Sequence, residues 1–265
     1  MPGVAGGGAW LVRGERGSLV AKHPVSATEL RVYTRLAGVL LDAGVRLPRV
    51  LGHGTGVDAH WLLLEYLPAP LSGETVAPET LDQLVRIHRL ARRERLPVLA
   101  GAEHPFRRPQ GMARAAVAAF AKDVREGLEP RFEAVAAAAR ALFRRRGLVH
   151  GDTNRTNWRL DAQGLPTLVD WARTGYGHPA LDPAPLLSGL PDRGRAAGLA
   201  HAYLARRPEL ERGRQGPLAN AILLAKAYTA IEFLASAATT SDTMADEATR
   251  MWTAGLPAWL ALLGV

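Results

Sequence analysis

Ten consecutive residues carry the densest chemistry in the chain: Leu148-Val149-His150-Gly151-Asp152-Thr153-Asn154-Arg155-Thr156-Asn157. They spell H-G-D-x-x-x-x-N, and Leu168-Val169-Asp170-Trp171 follows with its aspartate 18 residues after Asp152. A carboxylate, an amide and a second carboxylate at these spacings suit transfer of a phosphoryl group to a hydroxyl. One carboxylate must orient the attacking hydroxyl and accept its proton, and oxygen ligands must hold Mg2+ against the phosphates. Asp152, Asn157 and Asp170 supply those groups. The four fixed residues coincide by chance in about one chain of this composition in a few thousand. Three asparagines occur in the sequence, Asn154, Asn157 and Asn220, and two fall in this loop. Asn154 reads as an Asx-turn residue.

Short strands must bring these groups together. A strand at 148–150 leads into the loop, and a hairpin of 158–160 with 167–169, linked by Asp161-Ala162-Gln163-Gly164, returns Asp170 to it. Ahead of this, a glycine-rich start (residues 3–8) precedes two β-like runs, 9–13 and 18–22, joined by Gly14-Glu15-Arg16-Gly17. Ser26-Ala27-Thr28-Glu29 has the form of a capping box, which opens a helix near Ala27 with Leu30, Val32, Tyr33, Leu36 and Leu40 on one face. Two further β-like runs, 49–52 and 61–66, end at Leu67-Pro68-Ala69-Pro70, where prolines break the strand. Helical spacing then dominates at 80–93, 112–121 and 130–145, and again at 218–238 and 242–263. The fold class expected is α+β: a small β-rich lobe with one helix over residues 1–68, and a larger, mostly helical lobe over 69–265 that holds the catalytic loop and the acceptor site.

Composition narrows the function classes. Of 265 residues, 48% are hydrophobic and 22% charged, an ordinary globular balance. Cysteine is absent, which excludes disulfides, thiolate metal sites and a cysteine nucleophile. The net charge is +8, but the arginines spread along the chain with no aromatic-interleaved basic tract, so no nucleic-acid partner is expected. The apolar stretch 219–238 contains Lys226 and Glu232 and reads as a buried helix, so no membrane association is expected. No secretory signal is visible, and a cytoplasmic location follows as the expectation. Only Lys22, Lys122 and Lys226 are lysines, which makes the position of each informative.

These residues resemble the aminoglycoside phosphotransferase and choline kinase-like family, relatives of the protein kinases with the same two-lobed fold. The likeness runs over most of the chain. Besides the H-G-D loop, Leu84-Val85-Arg86-Ile87-His88-Arg89-Leu90 matches the family's L-H-x-L helix, and Leu63-Leu64-Glu65-Tyr66-Leu67-Pro68 looks like its hinge. Gly175-Tyr176-Gly177-His178-Pro179-Ala180-Leu181-Asp182 looks like its G-x-G-x-P-x-x-D element. The resemblance implies an ATP- and Mg2+-dependent small-molecule kinase with Asp152 as base and Asn157 and Asp170 as Mg2+ ligands. It makes His150 a brace for the loop. Lys22 would pair with the α- and β-phosphates, Glu29 would hold Lys22, and Gly6, Gly7 and Gly8 would approach the phosphates by backbone. Main-chain groups of Glu65 and Leu67 would bind adenine. Glu29 has a second reading as the N3 residue of the capping box, and Asp182 and His88 read as a loop-bracing carboxylate and a core histidine. The chain departs from the family pattern in its short run before the glycines, its tight Lys22-to-Glu29 spacing, and Ala172 where an acidic residue often follows D-W.

The acceptor expected is a small molecule with a hydroxyl, of the aminoglycoside or other amino-sugar or antibiotic kind. Asp123, Glu126, Glu232, Asp242, Asp246 and Glu247 are the carboxylates available to a polycation in the helical lobe. A fructosamine or small amino alcohol is the alternative acceptor. A nucleotide-binding pseudokinase or interaction module is the alternative from another class.

Overall fold

The structure, a computed structural model, describes residues 8–15, 17–56, 59–71, 76–93, 111–144, 147–210, 214–238 and 243–264. Packing groups the chain into two compact units, residues 1–105 with 145–182, and residues 106–144 with 183–265. This grouping differs from a division after residue 68, because the helix over 78–93 packs on the strand 147–149 and the helix over 27–31 on the turn 171–173.

In the first unit, β1 (Gly8–Gly14), β2 (Gly17–Val25), β3 (Val50–Thr55) and β4 (His60–Glu65) form an antiparallel sheet in the order β1-β2-β4-β3. The β2–β4 register slips between Lys22 and Val25, where Pro24 has no N–H to give the ladder. The chain leaves β2 at Ser26, whose hydroxyl accepts the Glu29 N–H at 3.1 Å. That cap starts α1 (Ala27–Arg31). The helix then widens into a π turn, Val32–Leu36, and resumes as α2 (Ala37–Asp42). Val32, Leu36 and Leu40 are fully buried, as is Leu62 on β4; burying each such side chain stabilises the fold by about 1.5–3 kcal/mol.

The loop region completes this unit. α3 (Pro78–Arg93) buries Leu81, Leu84, Val85, Ile87 and Leu90 at helical spacing and packs on β6 (Gly147–Val149). β6 pairs with β9 (Gly175–Gly177), and β7 (Trp158–Leu160) with β8 (Pro166–Leu168). A two-residue strand, β5 (Ala69–Pro70), adds to β7 with Pro70 facing Arg159. Neither β5 nor β9 follows from the sequence patterns. Pro70 is tolerated because it sits on an edge, where a missing N–H costs no ladder bond.

The second unit is helical: α4 (Met112–Val117), α5 (Leu128–Ala139), α6 (Arg193–Ala205), α7 (Gln215–Ala237) and α8 (Thr243–Leu263). α7 packs against the other four. By length and composition it could cross a membrane, yet 61% of its most apolar window is buried inside the fold, as a core helix requires.

Lys226 lies in that core, 6% exposed. Its ammonium donates to the Leu187 carbonyl at 2.6 Å and stands 5.3 Å above the Trp252 ring. Burial, and secondarily Arg195, depress its pKa to about 8. Between about 8 and the ordinary 10.5 the unfolded chain binds more protons, so stability rises with pH across that window, and below it the cost of the buried charge is constant. Lys226→Met is therefore expected to raise stability near pH 7 by about 1–2 kcal/mol, the desolvation relief being partly offset by an unpaired Leu187 carbonyl. The variant should also lose the wild type's alkaline gain. Urea unfolding of both proteins near pH 7 and near pH 10 checks this; equal pH slopes would contradict it.

Candidate active site

β6 delivers His150, and Gly151 follows with φ 82°, a left-handed turn that glycine makes without strain. The turn is held from behind by Asp182. One of its carboxylate oxygens accepts the His88 ring N–H at 2.8 Å and the His150 N–H at 2.9 Å; the other accepts the Gly151 N–H at 2.8 Å. The Thr153 hydroxyl closes on the Asp182 carbonyl. His88, Asp182 and His150 are buried. Burial alone would raise the Asp182 carboxyl, but the bond from His88 and the charges and N–H groups around it hold its pKa below the ordinary value. So His88 of the L-H-x-L helix and Asp182 of the G-x-G-x-P-x-x-D element are two ends of one brace on the loop.

The His150 ring faces inward, edge-on to Trp171 at 4.6 Å between ring centres, and its Nδ1 accepts the Asp152 N–H at 3.3 Å. Burial pushes its pKa below the ordinary value against the pull of Asp182 and Asp152, which leaves a neutral ring suited to scaffolding. Burial also raises the Asp152 carboxyl, opposed by Arg173 first and then His150. Asn154 does more than turn the chain: its amide donates to the Asp152 carboxylate at 2.5 Å. The Asn157 amide nitrogen donates to the Asp152 carbonyl at 2.8 Å, which turns its oxygen the other way. The Val169 N–H reaches the Asn157 carbonyl at 2.9 Å, so the β7–β8 hairpin sets Asp170 beside the loop.

Asp170 takes a left-handed φ of 62°, alone among the described non-glycine residues, and its side chain is 42% exposed. Lys22 reaches it from β2. The Lys22 ammonium lies 2.5 Å from Glu29 Oε1 and 3.1 Å from Asp170 Oδ1. Burial opposes its charge, but the two carboxylates outweigh it and raise the pKa above the ordinary lysine value. Glu29 takes the N3 place, its N–H bound to the Ser26 hydroxyl, while its carboxylate goes to Lys22, so one half of the capping box forms. The short Lys22-to-Glu29 connection is spanned because the helix begins directly after β2.

The remaining expected residues are placed as follows. Gly6 and Gly7 lie outside the described residues. Gly8 opens β1 opposite His23, with the Trp10 ring where a Cβ would stand. Glu65 ends β4 and accepts the Arg49 N–H at 3.2 Å; Leu67 is buried. Two neighbours of the site were not anticipated, Arg173 and the hydroxyl of Tyr33. Arg173 falls three residues after Asp170, a spacing that could have flagged it.

The donor set fits a hard divalent cation. Among the described residues no group of three or more His, Cys, Asp or Glu could hold a metal. The Asn157 amide oxygen and the Asp170 carboxylate offer two oxygen ligands, which suits Mg2+, an ion that keeps waters and takes its other ligands from phosphates.

The family model described as the phosphotransferase enzyme family matches residues 4–215. None of the curated proteins searched matches the sequence. Solved structures do. Spectinomycin phosphotransferase in complex with ADP and spectinomycin is 12% identical over 97% of this chain and 89% of its own, with a TM-score of 0.65. A mutant of aminoglycoside 2'-phosphotransferase IIIa with GDP is 15% identical over 97% and 92%, with a TM-score of 0.64. An aminoglycoside phosphotransferase from Alicyclobacillus acidocaldarius is 16% identical over 97% and 88%, with a TM-score of 0.56. At such identities the likeness shows the fold, the α+β protein-kinase-like one. The family match spans most of the chain and includes the H-G-D loop, Asp170 and Asp182, and so the chain belongs to the phosphotransferase enzyme family and is a small-molecule kinase.

Proposed function

We propose that the protein transfers the γ-phosphate of ATP, with Mg2+, to a hydroxyl of an aminoglycoside-like or other amino-sugar acceptor in the cytoplasm. The observation that carries this reading is the meeting of Lys22 and Asp170, 148 residues apart and 3.1 Å from each other, beside the loop of Asp152 and Asn157. The solved relatives with ADP and spectinomycin, and with GDP, support it by analogy.

In this reading residues 1–68 are the nucleotide-binding lobe, and residues 69–265 supply the catalytic loop and the acceptor site. Gly6, Gly7 and Gly8 approach the phosphates by backbone. The Glu65 N–H is given to the Arg49 carbonyl at 2.9 Å, and main-chain groups of Glu65 and Leu67 bind adenine. Lys22 neutralises the α- and β-phosphates, and Glu29 keeps the ammonium aimed. Asn157 and Asp170 hold Mg2+, which when bound offsets charge on the phosphate oxygens. Asp152 orients the acceptor hydroxyl and takes its proton. The raised pKa of Asp152 strengthens it as a base. Neutral His150 and the Asp182 brace keep the loop from moving.

Asp170→Asn tests the metal assignment, since asparagine tolerates the left-handed backbone and removes only the charge. Losing one charge-assisted ligand contact of about 1.5–3 kcal/mol should weaken Mg·ATP binding about ten- to a hundredfold, with metal-free ATP binding little changed. Calorimetry with and without Mg2+ reads this; equal loss in both conditions would contradict the assignment.

A further inference from the structure

Tyr33 stands one helical turn beyond Glu29, inside the π turn that interrupts the first helix. Its side chain is 3% exposed and its hydroxyl has no hydrogen-bond partner. A buried hydroxyl left unbonded is costly, and π turns recur at functional sites. Around this one stand the groups of the phosphate site. The Asp170 main chain approaches the Tyr33 oxygen, and the Glu29 and Asp170 carboxylates lie close enough to be felt there. Among the described residues the Asp170 N–H makes no main-chain hydrogen bond. The unbonded Tyr33 hydroxyl therefore stands beside a main-chain donor.

We propose that Tyr33 is a positioning residue for Asp170: its hydroxyl takes the Asp170 N–H, fixing the left-handed turn that presents the Asp170 carboxylate. The inference rests on the kinase reading. Its logic lies in what happens to Lys22. In this structure the ammonium ties Glu29 to Asp170. Once Lys22 engages phosphates and Asp170 engages the cation, that tie is spent, and φ 62° at Asp170 needs another restraint, because a non-glycine residue there is strained by roughly 1–3 kcal/mol. α1 already packs against the Trp171–Arg173 turn. Glu29 and Tyr33 then reach the same turn from one helix: Glu29 stands by the Trp171 main chain, and Tyr33 holds Asp170 next to it. The π turn sets the phenol at that height on the helix.

Tyr33→Phe removes the hydroxyl and keeps the ring, so the packing survives. With Mg2+ and a non-hydrolysable ATP analogue bound, hydrogen exchange of the peptide containing Asp170–Thr174 is expected to quicken about tenfold in Tyr33→Phe, with the β1–β4 sheet unchanged. Unchanged exchange at that peptide would overturn the proposal, and this readout holds whether or not any acceptor turns over. In the loaded enzyme the Mg2+ concentration for half-maximal ATP binding should rise about tenfold and kcat should fall, while metal-free ATP binding stays level. A variant whose Mg2+ titration matches the wild type would likewise overturn it. Tyr33→Leu provides the packing control: leucine and phenylalanine should share the Mg2+ defect if the hydroxyl is the active part, and a defect confined to leucine would mean that the ring alone matters. If wild-type protein binds no Mg·ATP, the kinase reading fails and this inference with it; binding by the wild type with unchanged exchange in Tyr33→Phe overturns the inference alone.

Discussion

Asp152→Ala is expected to lower phosphoryl transfer by about 10²–10⁴-fold, the usual contribution of a positioned base, while the protein stays folded and binds ATP as before. The separation follows from how Asp152 is held. Its main-chain N–H and carbonyl tie the loop to His150 and Asn157, so removing the side chain costs the loop the exposed bond from Asn154 and leaves those two in place. Burial raises its pKa above the ordinary 3.8. A group whose folded pKa is raised binds protons more tightly in the native state, so its ionisation costs stability at neutral pH. The alanine variant should therefore melt at the same temperature or slightly higher. The same shift places the acid limb of kcat above the ordinary carboxylate range, with activity falling as pH drops through the raised pKa. Initial rates across pH, set beside thermal melts of both proteins, check this. Near-normal transfer in the variant would mean that another group is the base.

Asp182→Ala should behave in the opposite way, losing stability and activity together. The carboxylate satisfies the buried His88 ring and the N–H groups of His150 and Gly151. Removing it leaves three donors unpaired in a dry interior, at about 3–5 kcal/mol. For a protein of this size that is a fall in melting temperature of about 10 °C. The pKa of Asp182 is depressed, so its stabilisation is complete above the ordinary carboxylate value of 3.8 and fades as pH falls through the lower folded value. Wild-type protein should lose stability in that acid window, and the variant should lack that component of the loss. Urea unfolding from about pH 7 down to about pH 3 would register both effects; a variant as stable as wild type would show that the brace is dispensable.

What was legible in the sequence is local in nature. The Asp161–Gly164 hairpin and the Ser26 cap complete their hydrogen bonds within a few residues, and the H-G-D loop carries its chemistry in contiguous residues, so type and spacing expose them. The long-range partners were legible only as motifs. Nothing in residues 84–90 states that His88 will meet Asp182, 94 residues on, because that pairing depends on α3 packing against β6. β9 was invisible because Gly-Tyr-Gly has no alternation to read, and β5 because proline argues against a strand wherever edge and centre cannot be told apart. Tyr33 was readable as one of five apolar-face positions, but that pattern hides its hydroxyl, whose surroundings come from Asp170, far along the chain. The π turn left no trace either, since Val32, Tyr33, Leu36 and Leu40 also suit an ordinary helix.

The central claim is acceptor-directed phosphoryl transfer through Asp152. Its most direct test is ATP turnover with Mg2+ against aminoglycosides, other hydroxylated antibiotics, fructosamines and amino alcohols, with Asp152→Ala as the blank. The account predicts turnover stimulated by the amino-sugar class, dependent on Mg2+ and absent in the variant. Stimulated turnover that persists in Asp152→Ala, or ATP binding with no transfer to any acceptor in the panel, would contradict it.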